Sequence, residues 1–490
     1  MVLERETDTV LPPEPNQLFL ASETRIYDYG NLYAFCSWFS DKLNTYPVSE
    51  SRPIAILLDS SDELVFTIAA CWYLQIPFMP LSAELTDAEM KATHKKMNFS
   101  LTVTDRRNRE RVKNSPHRTI PFESLQNESE THSTIRPEGD PEAIFGYFQT
   151  SGTTGKAKTV PLKRRQMHAA AASSAENVKP ANDRFWLHCL PFHHIGGTSI
   201  VLRSLLYQSA IYRMDRFDPE QIAGFLSENP LIQAASLVPT MLKRLLEQPK
   251  LHVHNDFKAI LLGGGPVSPL LLQECEKRGI PAISSYGLTE TCAQIAANPI
   301  IHRTGVYHPK NSVGMVFRPN QVEIRSEEGE PLPANESGMI WLKGPQVFDG
   351  YYDEEQNNGQ FDDEGWFRTG DFGHINRKNQ LFIEMRREDR IVTGGENVNP
   401  LEVEKALEAL AGVTDAAVIG IDDEEWGQRV VAYIVTESDS AEAAPFRDKL
   451  KPGLSPYKIP KEFIRTSSLP RTATGKKDRT TLKKNYTETS

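Results

Sequence analysis

Tyr147-Phe-Gln-Thr-Ser-Gly-Thr-Thr-Gly-Lys-Ala-Lys158 is the most informative stretch of this chain. An apolar run gives way to four hydroxyl residues, Thr150, Ser151, Thr153 and Thr154, interleaved with Gly152 and Gly155. The glycines let the backbone bend so that several N–H groups converge, while Lys156 and Lys158 add positive charge. Such a nest of donors suits a loop that wraps a polyphosphate. It is not a Walker A loop, which needs four residues between its first glycine and Gly-Lys-Ser/Thr; two separate Gly152 from Gly155. A surface linker would explain Gly, Ser and Thr alone, but not two lysines in register with four hydroxyls.

Outward from this loop, short apolar runs alternate with longer amphipathic stretches. Pro53-Ile-Ala-Ile-Leu-Leu58 precedes a helical pattern near Glu63 to Leu74, and Pro77-Phe-Met-Pro-Leu81 follows it. The alternation recurs from Trp186 to Leu190 and from Ala259 to Leu262, each run followed by a helical pattern. It predicts an α/β fold of layered, largely parallel sheets. Asp105 to Ser133 is polar with little periodicity and reads as surface loops or an exposed helix. Beyond it, Val322-Glu-Ile-Arg325 and Gly338-Met-Ile-Trp-Leu342 alternate as short, half-exposed strands. After Arg390 the chain resets: a strand to Thr393, a Gly-Gly turn, then a helix opening at Pro400. Leu401, Val403, Ala406, Leu407 and Leu410 form the inward face of that helix. A boundary at 386–389 divides a large N-terminal domain (1–387) from a small α+β C-terminal domain (388–490).

Composition narrows the classes. With 490 residues, 39% apolar and 24% charged, the chain is long and apolar enough for several cores, which excludes a disordered or fibrous protein. A net charge of −10 argues against a general nucleic-acid or anionic-membrane binder. No run approaches the ~20 apolar residues of a transmembrane helix, and Met1 to Gln17 lacks the basic start and apolar core of a secretory signal. Cys36, Cys71, Cys189, Cys275 and Cys292 are scattered and never spaced Cys-x-x-Cys, so reduced, buried thiols in a cytoplasm are expected.

Four further segments carry chemistry. Leu261-Leu-Gly-Gly-Gly-Pro266 ends a strand with glycines that permit close approach of a flat ring, and Tyr286 of Ser284-Ser-Tyr-Gly-Leu-Thr-Glu-Thr291 is placed to cover it. Thr289 adds a hydroxyl, and Glu290 a hard carboxylate suited to Mg²⁺. Thr369-Gly-Asp371 presents a carboxylate on a tight turn, fit to accept bonds from two ribose hydroxyls. Arg386-Arg-Glu-Asp-Arg390 is a charge run that serves either a site or solvent. Leu469-Pro-Arg-Thr-Ala-Thr-Gly-Lys476 puts a lysine on a glycine loop, where its compact ammonium suits a developing phosphate charge; a frayed basic tail is the plainer reading.

In this order and spacing, these segments resemble the adenylate-forming superfamily of acyl-CoA ligases, peptide-synthetase adenylation domains and luciferases, over about residues 20 to 485. The resemblance implies a large N-terminal domain, a mobile C-terminal domain and a two-step reaction: ATP and a carboxylate give an acyl-adenylate, then the thiol of coenzyme A displaces AMP. It also implies roles. Thr150, Ser151, Gly152, Thr153, Thr154, Gly155, Lys156 and Lys158 would hold the ATP phosphates; Gly264, Gly265 and Tyr286 would enclose adenine; Asp371 and Arg386 would hold ribose. Thr289 would touch the α-phosphate, Glu290 would hold Mg²⁺, and Lys476 would stabilise charge during adenylation. Glu388 occupies the hinge position, about which the Gly394-Gly395-Glu396 loop would swing in to form the pantetheine tunnel. Ala157, Thr159 and Met385 depart from the usual pattern without removing a ligand.

Leu190-Pro-Phe-His-His-Ile-Gly-Gly197 matches the family's Pro-x-x-His-x-x-Gly segment and would place His194, with Gly265, beside the acyl carboxylate; a structural histidine is the competing view. No acid stands here to hold a substrate amine, as an amino-acid-activating domain would require. Residues 261–275 and 285–295 look most like the 2-succinylbenzoate–CoA ligases of menaquinone biosynthesis, whose substrate carries a second carboxylate. Arg203, in the otherwise apolar Ser199-Ile-Val-Leu-Arg-Ser-Leu-Leu206, is the candidate partner for that carboxylate; a residue snorkelling to solvent is the alternative. A ligase for another aryl or medium-chain acid, or a non-catalytic nucleotide sensor, are the competing functions. The expected partners are small molecules, with no nucleic acid and no integral membrane segment, and homodimers occur in such families.

Overall fold

The parallel strands at the centre of the molecule are short, mostly apolar and wholly buried: Ile54–Leu57, Phe185–His188, Ile232–Leu237 and Ala259–Leu262 each have every residue inside, including the polar His188, Gln233 and Ser236. Continuous rather than alternating apolar character marks strands covered on both faces. The computed structural model describes residues 13–46, 52–59, 61–113, 118–122, 139–150, 158–299, 312–386, 389, 391–393, 396–423, 426–436, 444–472 and 475–489.

Four sheets organise these residues. The nine-stranded sheet is parallel at its centre, where Ala282–Leu288, Ala259–Leu262, Ile232–Leu237, Phe185–His188 and Ala210–Arg213 lie side by side, and antiparallel at both ends. A six-stranded sheet carries Ile54–Leu57 and Phe78–Pro80 near its middle and ends in the antiparallel pair Ile144–Thr150 and Lys158–Lys163. A four-stranded antiparallel sheet follows, from Gln321–Arg325 to Leu381–Arg386. The last sheet has five strands, built from Ile391–Thr393 through Glu462–Arg465. Among the described residues, no helix is long and apolar enough to cross a membrane.

The largest core is shared by the two big sheets and holds helices Tyr29–Asn44, Asp62–Tyr73, Arg164–Val178 and Ile195–Tyr207. Helix Asp62–Tyr73 shows how the sequence builds this layer. Ser61 caps it by accepting a hydrogen bond from the Leu64 N–H, Asp62 and Glu63 sit at the positive end of its dipole, and nearly every other position is buried. Burying aromatic side chains such as Trp72 and Trp186 contributes roughly 2–3 kcal/mol each, and both are fully inside. Asp62 is itself buried but paired with Arg213 at 2.6 Å and bonded by the Ser22 hydroxyl.

Two sequence expectations change in the structure. The polar stretch after Asp105 contains a strand, Arg118–Pro121, hidden from pattern reading because it pairs on one side only, at the edge of the six-stranded sheet. Helix Pro400–Glu408 begins at Pro400 with Asn399 as cap, but its buried face is Pro400, Val403, Glu404 and Leu407; Leu401 is half-buried and the acid Glu404 is inside.

Candidate active site

Four adjacent parallel strands of the nine-stranded sheet end at one edge, at His188, Leu237, Leu262 and Leu288. The crevice beyond the carboxyl ends of parallel strands is where open α/β sheets bind ligands. Gly263, Gly264 and Gly265 follow Leu262 there, and Gly264 adopts φ +76°, a conformation that only glycine takes without strain. Next to them runs Ser285-Tyr286-Gly287-Leu288. A Cβ on Gly287 would collide with the Ala293 backbone on the neighbouring strand, so this close approach requires glycine.

Tyr286 is buried, and its hydroxyl donates to Asp371 Oδ2 at 2.6 Å. The Asp371 N–H in turn donates to the Thr369 hydroxyl at 3.0 Å. Sequence pattern put Asp371 on a tight turn; it lies instead within strand Phe367–Ile375, where Gly370 at φ +80° supplies the kink. Asp371 faces Arg386 in the sheet register. Gly-rich turn, tyrosine and aspartate therefore share one wall.

Thr150 and Lys158, the ends of the hydroxyl- and glycine-rich stretch, are cross-strand partners in the antiparallel pair. Ser151, Gly152, Thr153, Thr154, Gly155 and Lys156 lie outside the described residues. The Lys158 ammonium sits 4.4 Å from the ring centre of Tyr351, and the Tyr351 hydroxyl donates to Glu290 Oε1 at 2.8 Å. The Phe348 N–H donates to the Glu290 carbonyl at 2.9 Å, fixing the turn Thr289–Thr291. Tyr351 thus joins two segments that sequence reading treated separately. Among the described residues no lysine or arginine forms an ion pair with Glu290, and no cluster of three His, Cys, Asp or Glu forms a metal cage. A single half-buried carboxylate beside hydroxyls fits a Mg²⁺ whose remaining oxygens come from a nucleotide.

His194 caps the N-terminal end of helix Ile195–Tyr207 with extended backbone. Burial, reinforced by His193 and by Lys476, pushes it down to about 4, so it is neutral at pH 7. Its Nε2 is buried without a partner among the described residues. Lys476 reaches this neighbourhood from the other end of the chain. The segment Thr472–Lys476 closes on itself, the Thr472 N–H donating to the Lys476 carbonyl at 2.8 Å. Gly475, at φ +76°, passes so close to the large sheet's strand ends that a Cβ there would lie 2.9 Å from Thr240 Oγ1. Lys243 adds a bond of 2.9 Å to the Thr414 carbonyl.

Arg203 does not snorkel. It is 7% exposed, its guanidinium stacks 4.2 Å above the Trp186 ring, and Nη1 donates to the Ser174 hydroxyl at 2.8 Å. Its Nε has no partner, and no carboxylate pairs with it among the described residues. Burial pushes it down to about 10, so it stays charged. It lines a pocket with Ser174, Ser199, Cys292, Ala293 and Gln294. Cys292 and Ala293 hold this wall in left-handed backbone, at φ 55° and 82°. Glu388, Gly394 and Gly395 lie outside the described residues, as do the side chains of Arg386 and Glu396. Tyr351, Ser174, Gln294, Trp186 and Thr240 were not found from sequence, since only folding brings their separate segments together.

The AMP-binding enzyme family matches residues 10–352, and the AMP-binding enzyme C-terminal domain matches residues 402–476. The 2-succinylbenzoate–CoA ligase of Enterococcus faecalis is 34% identical over 428 residues, 87% of each chain. The o-succinylbenzoate CoA synthetase of Bacillus subtilis, solved in complex with its acyl-adenylate intermediate, superposes with a TM-score of 0.87 at 31% identity over 96% of each chain. The same enzyme solved with ATP and magnesium gives 0.86 at 30% identity, over 96% of this chain and 97% of that one. The chain belongs to the AMP-binding, adenylate-forming enzyme family.

Proposed function

We propose that this chain is an AMP-forming acid–CoA ligase that joins 2-succinylbenzoate to CoA through an acyl-adenylate, as a step in menaquinone biosynthesis. The observation that carries the substrate is Arg203: a buried, charged guanidinium facing a pocket that no acid lines among the described residues. Burying a cation without a counter-charge is costly, and a carboxylate delivered by the substrate compensates that charge in a charge-assisted hydrogen bond. Ser174 accepts from Arg203 and donates to Gln294 Oε1 at 3.2 Å, which leaves the Gln294 amide N–H groups as donors beside it.

In the first step a carboxylate oxygen attacks the α-phosphorus of ATP and pyrophosphate leaves. His194, neutral and capping its helix, borders the carboxylate; Lys476 brings a point charge to the α-phosphate, with Thr289 beside it. Thr150 to Lys158 hold the leaving phosphates, Gly264, Gly265 and Tyr286 enclose adenine, and Asp371 and Arg386 hold ribose. Glu290 would hold Mg²⁺, which would supply charge neutralisation on the phosphate oxygens. In the second step the CoA thiolate attacks the acyl carbonyl carbon and AMP leaves. Residues 388–490 form the mobile domain, hinged at Glu388, and its Gly394-Gly395-Glu396 loop frames the pantetheine arm once Lys476 has withdrawn. The enzyme is expected in the cytoplasm, acting on small molecules.

The test is product mass spectrometry with MgATP, CoA and a panel of acids: 2-succinylbenzoate, benzoate and octanoate. A 2-succinylbenzoyl-CoA product formed far faster than the others is expected. Thioesters from benzoate or octanoate instead would keep the chemistry and discard the dicarboxylate. Neither thioester nor pyrophosphate from any acid would leave a nucleotide sensor.

A further inference from the structure

Lys476 has a neighbour, Lys477, whose side chain turns the opposite way, into the body of the small domain. Lys477 Nζ lies 3.0 Å from Glu404 Oε2, 2.9 Å from Glu408 Oε1 and 3.6 Å from Asp415 Oδ1. Glu404 is the acid on the buried face of helix Pro400–Glu408, and its side chain is 2% exposed. Its other oxygen takes Arg479 Nη2 at 2.6 Å and the Val418 N–H at 2.8 Å. Arg479 then reaches Asp389 Oδ2 with Nη1 at 3.4 Å and the Val418 carbonyl with Nε at 3.2 Å. On the near arm of the hairpin, Arg471 pairs with Asp415 and donates to the Gly475 carbonyl at 2.9 Å. Burial alone would push Lys477 and Arg479 down; Glu404 and the acids around it more than reverse this, so both stay charged.

The arrangement spans one path. It begins at Asp389, immediately after the hinge position, runs through Arg479 to Glu404, and returns through Lys477 to the residue beside Lys476. A buried pair whose oxygens are all taken is rigid, because each partner lost leaves a charge in a low dielectric. Rigidity matters here because the catalytic lysine sits at the far end of a swinging domain, where a shift of ~1 Å can lower rate by roughly 100-fold.

We propose that Arg479 is a positioning residue for adenylation: held between Glu404 and Asp389, it makes the segment from the hinge to the hairpin one stiff lever that delivers Lys476. This rests on the role given to Lys476 above. The lever serves the first step, in which Lys476 acts, and not the second, in which it is withdrawn.

The experiment separates the two half-reactions in the full-length enzyme, measuring pyrophosphate release from MgATP and acid, and thioester formation from supplied acyl-adenylate and CoA. Lys476→Ala, Arg479→Lys, Asp389→Asn and Asp389→Glu are compared. Arg479→Lys, too short to bridge both acids, is expected to lower pyrophosphate release by about 10- to 100-fold while thioester formation stays within about twofold. Asp389→Asn, at a position whose side chain is 28% exposed and whose change leaves the core packing alone, is expected to show the same split more weakly, and Asp389→Glu to restore it. Parallel loss of both half-reactions in Arg479→Lys and Asp389→Asn, or loss in neither, would overturn the lever. Loss in Lys476→Ala with none in those two variants would overturn it alone; full pyrophosphate release from Lys476→Ala would overturn the role of Lys476 and the lever with it.

Discussion

Arg203 in the large domain and Glu404 in the small one are both charged and buried, yet they are buried in opposite ways. Glu404 has each oxygen occupied by a cation or an N–H of its own domain. Arg203 has a hydroxyl, an aromatic face and a pocket, but no described counter-ion. The difference separates structure from recognition. A charge compensated from within is part of the scaffold, whereas one left uncompensated beside a cavity is waiting for a ligand of opposite sign.

The comparison breaks most readily at Glu404. Glu404→Leu strands Lys477 and Arg479 in the interior and is expected to destabilise the protein by about 3 kcal/mol, read as a lower midpoint in urea. Arg203→Leu should do the reverse. It is expected to leave that midpoint unchanged or raised, while kcat/KM for 2-succinylbenzoate falls roughly 100-fold, the loss of a charged hydrogen bond; a lowered midpoint with activity retained would make Arg203 a scaffold residue.

A third kind of burial sharpens the contrast. His188 is 0% exposed, and burial first of all pushes it down to about 4. The unfolded chain, with an ordinary histidine, binds its proton near pH 6.5, so between about 6.5 and 4 unfolding takes up protons and stability falls as the solution is acidified. The slope from this one group approaches ~1.4 kcal/mol per pH unit, and His188→Gln should flatten the profile by that amount. Smallest is Ser174→Ala, which removes one neutral donor-acceptor beside Arg203. About 1 kcal/mol, or fivefold in KM for the dicarboxylate at unchanged kcat, is expected from steady-state kinetics.

What the sequence made legible was local. The glycines after Leu262 and the strand runs each declare themselves within a dozen residues, because turn chemistry and period-two or continuous apolar patterns are short-range. Arg203 was visible as an arginine in an apolar run, but Ser174, Trp186 and Gln294 come from three other elements, and nothing in their own neighbourhoods marks them. Glu404 was invisible for a different reason. Reading a helix face counts apolar residues, so an acid satisfied from Val418, Lys477 and Arg479 is scored as solvent-facing. Asp371 was placed on a turn because Thr-Gly-Asp is common in turns; inside Phe367–Ile375 the sheet's hydrogen bonds override that local preference, leaving a kink at Gly370.

All five cysteines are free and buried, and burial pushes each thiol up; Cys189 and Cys275 stand at about 12, and Cys292, which lines the pocket beside Arg203, also rises. A catalyst whose second substrate is itself a thiol therefore has no competing sulfur nucleophile. Its own sulfurs neither capture the activated acyl group nor exchange with CoA disulfides, because the attacking species is the thiolate and none forms near pH 7. Intact mass after incubation with oxidised CoA should show the bare chain, and labelling by a thiol reagent should appear only as the protein unfolds.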